Sequence, residues 1–303
     1  MSSYHYCLVD VFTDRAFGGN PLAVVTDARG LTTETMQALA KEFHLSETSF
    51  VLPPRSSQND FQVRIFTPAT ELPMAGHPTI GTAFVLAHQQ MVHLSEPATT
   101  ITFEEGVGDI PVTFHQLNGE RLSIQMRQPL PTFGPTFSER ATIAELLSLR
   151  PDDLDATLPL EVISCGVPFL FVPVRSLAAM RAIQFRRDVW ERALANFASP
   201  HVFVFAREVE TPGAGVHSRM FAPALDVAED PATGAASGPL GCYLVRHKLV
   251  EHTGSAVEIV SEQGLEMGRP SFVRITIHTA GDEITGVYIG GQCYFMGEGT
   301  LEL

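Results

Sequence analysis

Arg64-Ile65-Phe66-Thr67-Pro68-Ala69-Thr70-Glu71 is answered later in the same chain by Arg219-Met220-Phe221-Ala222-Pro223-Ala224-Leu225-Asp226. Arg219 follows Arg64 by 155 positions, about half of the 303 residues. Each stretch runs into a small-residue turn: Ala75-Gly76-His77-Pro78-Thr79-Ile80-Gly81 and Asp230-Pro231-Ala232-Thr233-Gly234-Ala235-Ala236. Upstream, apolar Met36, Leu39, Ala40 and Phe43 recur as Trp190, Ala193, Leu194 and Phe197. A spacing held over this span reads as duplication, and predicts a two-lobed, pseudo-symmetric molecule. At that spacing His77 aligns with Ala232 and Asp230 with Ala75, and at the upstream offset of 154 Glu47 aligns with His201. Ionisable groups that occur once each on a repeated scaffold point to a site between lobes.

The hydrophobic pattern sets the fold class. Segments 6–12 and 22–25 are apolar and β-branched, and read as buried strands. Thr32 is placed to cap a helix that carries Met36, Leu39, Ala40 and Phe43 on one face. Glu47 then stands where this helix gives way to a strand over 49–52. A second helix is expected from near Thr79 to about Gln90, and its counterpart from Ala235 to about His247. Both are apolar or small on every side, which marks helices buried all round. The expected class is α+β: two barrel-like β lobes, each wrapped around one buried helix. The lobes are placed at 1–127, rejoined by 284–303, and at 128–283, with Pro129, Pro131 and Pro135 marking the crossover.

Composition narrows the function. The chain is 45% hydrophobic, enough for two cores, and its net charge is −14. No basic run occurs, so nucleic acid and anionic membranes are not expected partners. No apolar run reaches the roughly 18 residues that span a bilayer, and the segment from Met1 has no leader pattern. Cys7, Cys165, Cys242 and Cys293 are scattered without a CxxC pair, which suits reduced thiols in the cytoplasm. There is no HExxH, no GxGxxG after a strand and no P-loop, so the expectation is no metal and no cofactor. The other histidines, His201, His217 and His252 among them, read as surface or core residues.

A Gly-rich turn that enters a buried helix has a defined chemistry. The first helical N–H groups lack intrahelical acceptors, and the helix dipole adds positive charge there. Such a start suits an anion, here a substrate carboxylate, and glycine lets the ligand come close. Gly76, Pro78, Thr233, Gly234 and Ala235 are therefore the expected substrate-binding positions. Glu47, His77 and Asp230 are the expected proton-transfer groups. A carboxylate in a water-poor site gains a raised pKa and can serve as acid and base in turn. A metabolite-binding or protein-interaction protein that keeps the fold without turnover would share these residues; proton exchange into a bound ligand separates the two.

The long motif from Glu71 to Ala83 resembles the signature of the PhzF family, the phenazine-biosynthesis isomerases and their relatives. So do Ser46-Glu47-Thr48-Ser49-Phe50 and Glu229-Asp230-Pro231-Ala232-Thr233-Gly234, and the resemblance extends from Asp10-Val11-Phe12 through Gly19-Asn20-Pro21 to Gly297-Glu298-Gly299. It implies the diaminopimelate epimerase-like fold, a homodimer, and isomerisation without a cofactor. It also implies catalytic roles for Glu47, His77 and Asp230, and a substrate carboxylate near Gly76 and Gly234. One position departs from it. Ala235 stands where the phenazine enzyme has serine, and Ser237 lies two residues on. Neither turn holds a cysteine, so the two-thiol chemistry of the related racemases is not expected.

Overall fold

The computed structural model describes residues 2–95, 97–117, 121–251 and 254–303. Met1 and His252 lie outside them. The chain forms two compact units, Met1–Arg127 with Ile289–Leu303, and Gln128–Tyr288. The return to the first unit comes at 289 rather than at the expected 284. It falls inside the strand Glu283–Gly291, so no turn residue marks it.

In the first unit, strand Ser3–Val11 pairs antiparallel with both Asn20–Val25 and Cys293–Glu302. From Asn20–Val25 the order runs parallel to Glu47–Leu52, antiparallel to Phe61–Phe66, parallel to Ala98–Glu105 and antiparallel to Gly108–Leu117. The helix Gly76–His88 packs against strands of this set, including Ser3–Val11, Asn20–Val25 and Glu47–Leu52. Ten of its 13 residues are buried, as its unbroken apolar character requires. A side chain at Gly81 would stand 2.6 Å from Leu22 and 2.7 Å from Val11, so glycine sets how closely helix and strands approach. The amphipathic helix Thr33–Phe43 lies over Val25, Phe50 and Phe66. Thr32 caps it by accepting from the Thr35 N–H, and His44 ends it in the left-handed region at φ 52°.

The second unit repeats this order. Pro168–Pro173 lies parallel to Val202–Ala206, then antiparallel to Val216–Ala222, parallel to Ala256–Gln263 and antiparallel to Ser271–Ala280. The helix Gly234–Arg246 packs against this set, with no room for a side chain at Gly241, whose Cβ would lie 2.5 Å from Ile275. The duplication extends to side chains. Arg64 pairs with Glu71 at 2.7 Å and stands 5.1 Å over the Phe66 ring. Arg219 pairs with Glu229 at 2.7 Å and stands 5.2 Å over Phe221.

Three sequence expectations change. The two buried helices begin at Gly76 and Gly234, so Gly76, His77 and Pro78 form a first turn rather than precede one. Proline is compatible with that turn, where its missing N–H has no acceptor to lose. The Trp190 helix stops at Ala193, leaving Leu194 and Phe197 beyond it. The repeat spacing also slips. A 3₁₀ turn at Pro223–Leu225 lengthens the second copy, so the helix starts lie 158 apart, not 155. His77 therefore corresponds to Ala235, and Ala75 to Thr233. The partner of Arg219 is accordingly Glu229 rather than Asp226. Among the described residues no helix is long and apolar enough to cross a membrane.

Candidate active site

Sheet register brings the first group of residues together. Glu47 opens its strand opposite Leu22 of the parallel neighbour, and Asn20 begins that neighbour two residues earlier. Both therefore sit at the same end of adjacent strands, beside the start of the helix Gly76–His88. Gly19 makes the entry possible: it adopts φ +60°, and a Cβ there would lie 2.3 Å from the Val11 carbonyl oxygen.

His77 is 4% exposed. Its Nε2 lies 3.3 Å from Glu47 Oε2, and Asn20 Nδ2 lies 3.3 Å from its Nδ1. An amide nitrogen can only donate, so with the Asn20 amide placed this way Nδ1 accepts and the ring proton resides on Nε2, 3.3 Å from Glu47 Oε2 but not aligned on it as a hydrogen bond. Burial pushes the His77 pKa down to about 3, which leaves the imidazole neutral at physiological pH. A neutral ring adds no fixed charge beside Glu47. The Glu47 side chain is itself largely buried, at 16% exposure. The N–H groups of Gly76 and His77 stand in the first helical turn, where no intrahelical acceptor exists. Pro78 completes that turn without a donor of its own, so it shapes the site and cannot bond a ligand through its nitrogen.

The second unit holds Asp230, the last residue of the strand Val227–Asp230 and 6% exposed. The Thr233 hydroxyl donates to Asp230 Oδ2 at 2.6 Å. Gln263 clamps the turn between them: its Nε2 donates to Asp230 O at 2.7 Å and to Thr233 Oγ1 at 2.9 Å, while its Oε1 accepts from the Thr233 N–H at 3.1 Å. The Gln128 amide donates to Gly234 O at 3.1 Å. Gly234 is buried and Ala235 half-buried, in the first turn of the helix. Ser237 does not stand in for the hydroxyl absent at 235. It is fully buried, and its Oγ donates to Thr233 O at 2.9 Å.

The structure thus groups Glu47 and His77 with Gly76 in one unit, and Asp230 and Thr233 with Gly234 in the other. Sequence reasoning passed over Asn20 and Gln263. Asn20 lay within a Gly-Asn-Pro stretch that reads as a turn, whereas it opens a buried strand. Gln263 lies 30 residues beyond Thr233 and gives no local signal. One His/Cys/Glu group among the described residues could approach a metal ion: His5, Cys7 and Glu298, with ligand atoms within 4.8 Å of one another. These atoms already have partners, since the Gln89 amide donates to Cys7 Sγ at 3.4 Å and to Glu298 Oε2 at 2.9 Å.

Comparison with known proteins gives this geometry a context. The family model of the phenazine biosynthesis-like proteins matches residues 9–299. A trans-2,3-dihydro-3-hydroxyanthranilate isomerase of Pseudomonas aeruginosa is 37% identical over 302 residues, covering 99% of this chain and all of that protein. A PhzF-family protein of Bacillus anthracis, solved as a crystal structure, superposes with a TM-score of 0.90 at 28% identity, each chain fully covered. A hydroxyproline epimerase of Agrobacterium vitis shares the fold at TM-score 0.65 and 13% identity, over 99% of this chain and 92% of its own. The chain belongs to the phenazine biosynthesis-like (PhzF) family, as one of its isomerases.

Proposed function

We propose that the chain moves a proton between two carbons of a small, cyclic or unsaturated carboxylic acid, without a cofactor, and that Glu47 carries the proton. The observation that carries this reading is the 3.3 Å approach of His77 Nε2 to Glu47 Oε2, both groups being largely withdrawn from water. A carboxylate so placed can take a proton from one carbon, and its protonated form can return the proton to a second. Neutral His77 steadies the carboxylate and, as an N–H donor, stabilises negative charge that develops on the substrate. Asp230, fixed by Thr233, is assigned an orienting role in the same reaction. Two helix starts, at Gly76 in the first unit and at Gly234 and Ala235 in the second, each present first-turn N–H groups of the kind that favours an anion, and the substrate carboxylate is assigned to such a start.

The name of the Pseudomonas relative makes trans-2,3-dihydro-3-hydroxyanthranilate the first acid to test. Ala235 offers no hydroxyl, so an acid with fewer hydrogen-bonding groups at that point suits this chain better. The test is proton NMR of candidate acids with the protein in heavy water. Enzyme-dependent deuterium incorporation supports the reading. Binding without exchange, across acids that stabilise the protein thermally, would make it a binding protein instead. The reading extends to a cytoplasmic homodimer, and a monomer mass by light scattering would remove the second half of that statement.

A further inference from the structure

We infer that Glu105 is a positioning residue for the His77 helix start, acting as a neutral carboxylic acid where the second unit carries Gln263. The inference rests on the reading of Gly76 and His77 as part of the active site.

Thr79 Oγ1 lies 2.7 Å from Ala75 O and 2.5 Å from Glu105 Oε1. A hydroxyl has one hydrogen to give. In the second unit, the equivalent Ser237 gives its hydrogen to Thr233 O, the counterpart of Ala75 O. If Thr79 does the same, its contact with Glu105 needs a hydrogen supplied by Glu105. The carboxyl group is then protonated and donates to Thr79 Oγ1, which donates in turn to Ala75 O. A protonated carboxyl has the planar shape of an amide and one donor hydrogen where the amide has two.

The second unit supplies that amide. Gln263 follows Glu105 by 158 positions, the same spacing that relates Gly234 to Gly76. Both residues end eight-residue strands, Ala98–Glu105 and Ala256–Gln263. The next residue is glycine in both, with a proline of the turn packed against it: a Cβ on Gly106 would meet Pro73 at 2.7 Å, and one on Gly264 would meet Pro231 at 2.6 Å. Gln263 braces the turn that enters its helix, through Asp230 O and Thr233. Glu105 braces the other turn through Thr79, two residues beyond His77.

The surroundings favour the neutral form. Glu105 is 9% exposed, and its Oε2 is buried with no hydrogen-bond partner among the described residues. Charged and titratable groups on the elements around it engage elsewhere. His77 faces Glu47 and Asn20; Arg64 bonds Glu71; Glu104 accepts from the Arg55 and Ser56 N–H groups; Asp109 accepts from Asn59; His88 stacks on Phe295; His115 lies at the far end of its strand, opposite Ala98. Desolvation raises the Glu105 pKa to about 8, against the bond from Thr79, which lowers it. The folded protein holds this proton more tightly than the unfolded chain, whose value is 4.5. The stability it contributes is complete below 4.5 and is lost as pH rises through about 8. Above that value the charged carboxylate competes with Ala75 O for the single Thr79 hydrogen, and the first turn shifts.

The experiment is ¹⁵N NMR of the full chain labelled at histidine, from pH 6 to 9.5, with His77 assigned through His77→Asn. In the wild type, the His77 ring signals should move with a midpoint near 8. In Glu105→Gln they should stay at the low-pH position throughout, and in Glu105→Ala they should be displaced at every pH. Persistence of the step in Glu105→Gln, or its absence from the wild type, overturns the inference. A Glu105→Gln ring displaced as far as that of Glu105→Ala overturns it too, because an amide then fails to replace the acid. These spectra need no substrate, so they stand even where the isomerase reading fails. Where an exchangeable acid is known, kcat should fall along the same alkaline limb in the wild type and not in Glu105→Gln, with KM little changed.

Discussion

Thr79 and Ser237 make the same hydrogen bond in the two halves of the chain. Thr79 Oγ1 lies 2.7 Å from Ala75 O, and Ser237 Oγ lies 2.9 Å from Thr233 O, each closing the first turn of a buried helix from within. The hydroxyls stand at the fourth helical position, which places the side chain over the carbonyl four residues earlier. This pair fixes the true register of the duplication. It also shows that neither hydroxyl is turned to a ligand. What remains at each helix start is backbone N–H, with His77 in the first unit's turn and Ala235 in the second's.

Glu47→Gln should abolish turnover while leaving binding nearly intact. Glutamine keeps the shape and the approach to His77 but has no proton to shuttle. General acid–base catalysis by one group is worth about 10²–10⁴-fold, and the rate should fall by at least that factor. Deuterium incorporation in heavy water is the readout. Exchange at the wild-type rate in Glu47→Gln, with none in His77→Asn, would transfer the shuttle to His77.

His77 should remain neutral far into acid. Burial lowers its folded value to about 3, from 6.5 in the unfolded chain. The stability it contributes is therefore present above 6.5 and lost as pH falls towards 3. Unfolding free energies between these limits should decline less steeply in His77→Asn than in the wild type. The ring should report the Nε2–H tautomer at pH 5 by NMR; an imidazolium at that pH would contradict the assignment.

Gln263→Ala should loosen the Asp230 turn. It removes three hydrogen bonds and leaves Asp230 O and Thr233 short of partners in a buried place. Net contributions of about 0.5–1.5 kcal/mol per bond give an expected loss of a few kcal/mol, read from denaturant midpoints. The rate should fall further than the binding of a test acid, because Thr233 then no longer holds Asp230 Oδ2 in one place. Unchanged stability would mean that the clamp is redundant.

Gly81→Ala tests how closely the first buried helix approaches its strands. The added methyl meets Leu22 and Val11 at 2.6 and 2.7 Å. Overpacking of this kind costs about 1–3 kcal/mol, against the small gain from alanine's helix propensity. A stabilised variant would show that helix and strands can part without cost. Gly234→Val addresses the ligand instead: it should weaken acid binding by filling the approach to the helix start.

The amino-acid sequence determined the duplication, the two all-apolar helices and the residue types of the site. Each of these is written locally, in hydrophobic period, in Gly and Pro, and in the motifs around Glu47, His77 and Asp230. Tertiary structure decided the rest. The three-residue slip that matches His77 with Ala235 comes from a 3₁₀ turn at Pro223–Leu225, which no periodicity reveals. Asn20 reaches His77 because parallel pairing sets Leu22 opposite Glu47, a register fixed by which faces are buried. Gln263 and Glu105 act on turns some 30 residues away in the chain, joined to them only by packing. The protonation of His77 and Glu105 was also invisible in the sequence. It depends on the water excluded around each group, and only the assembled strands and helix exclude it.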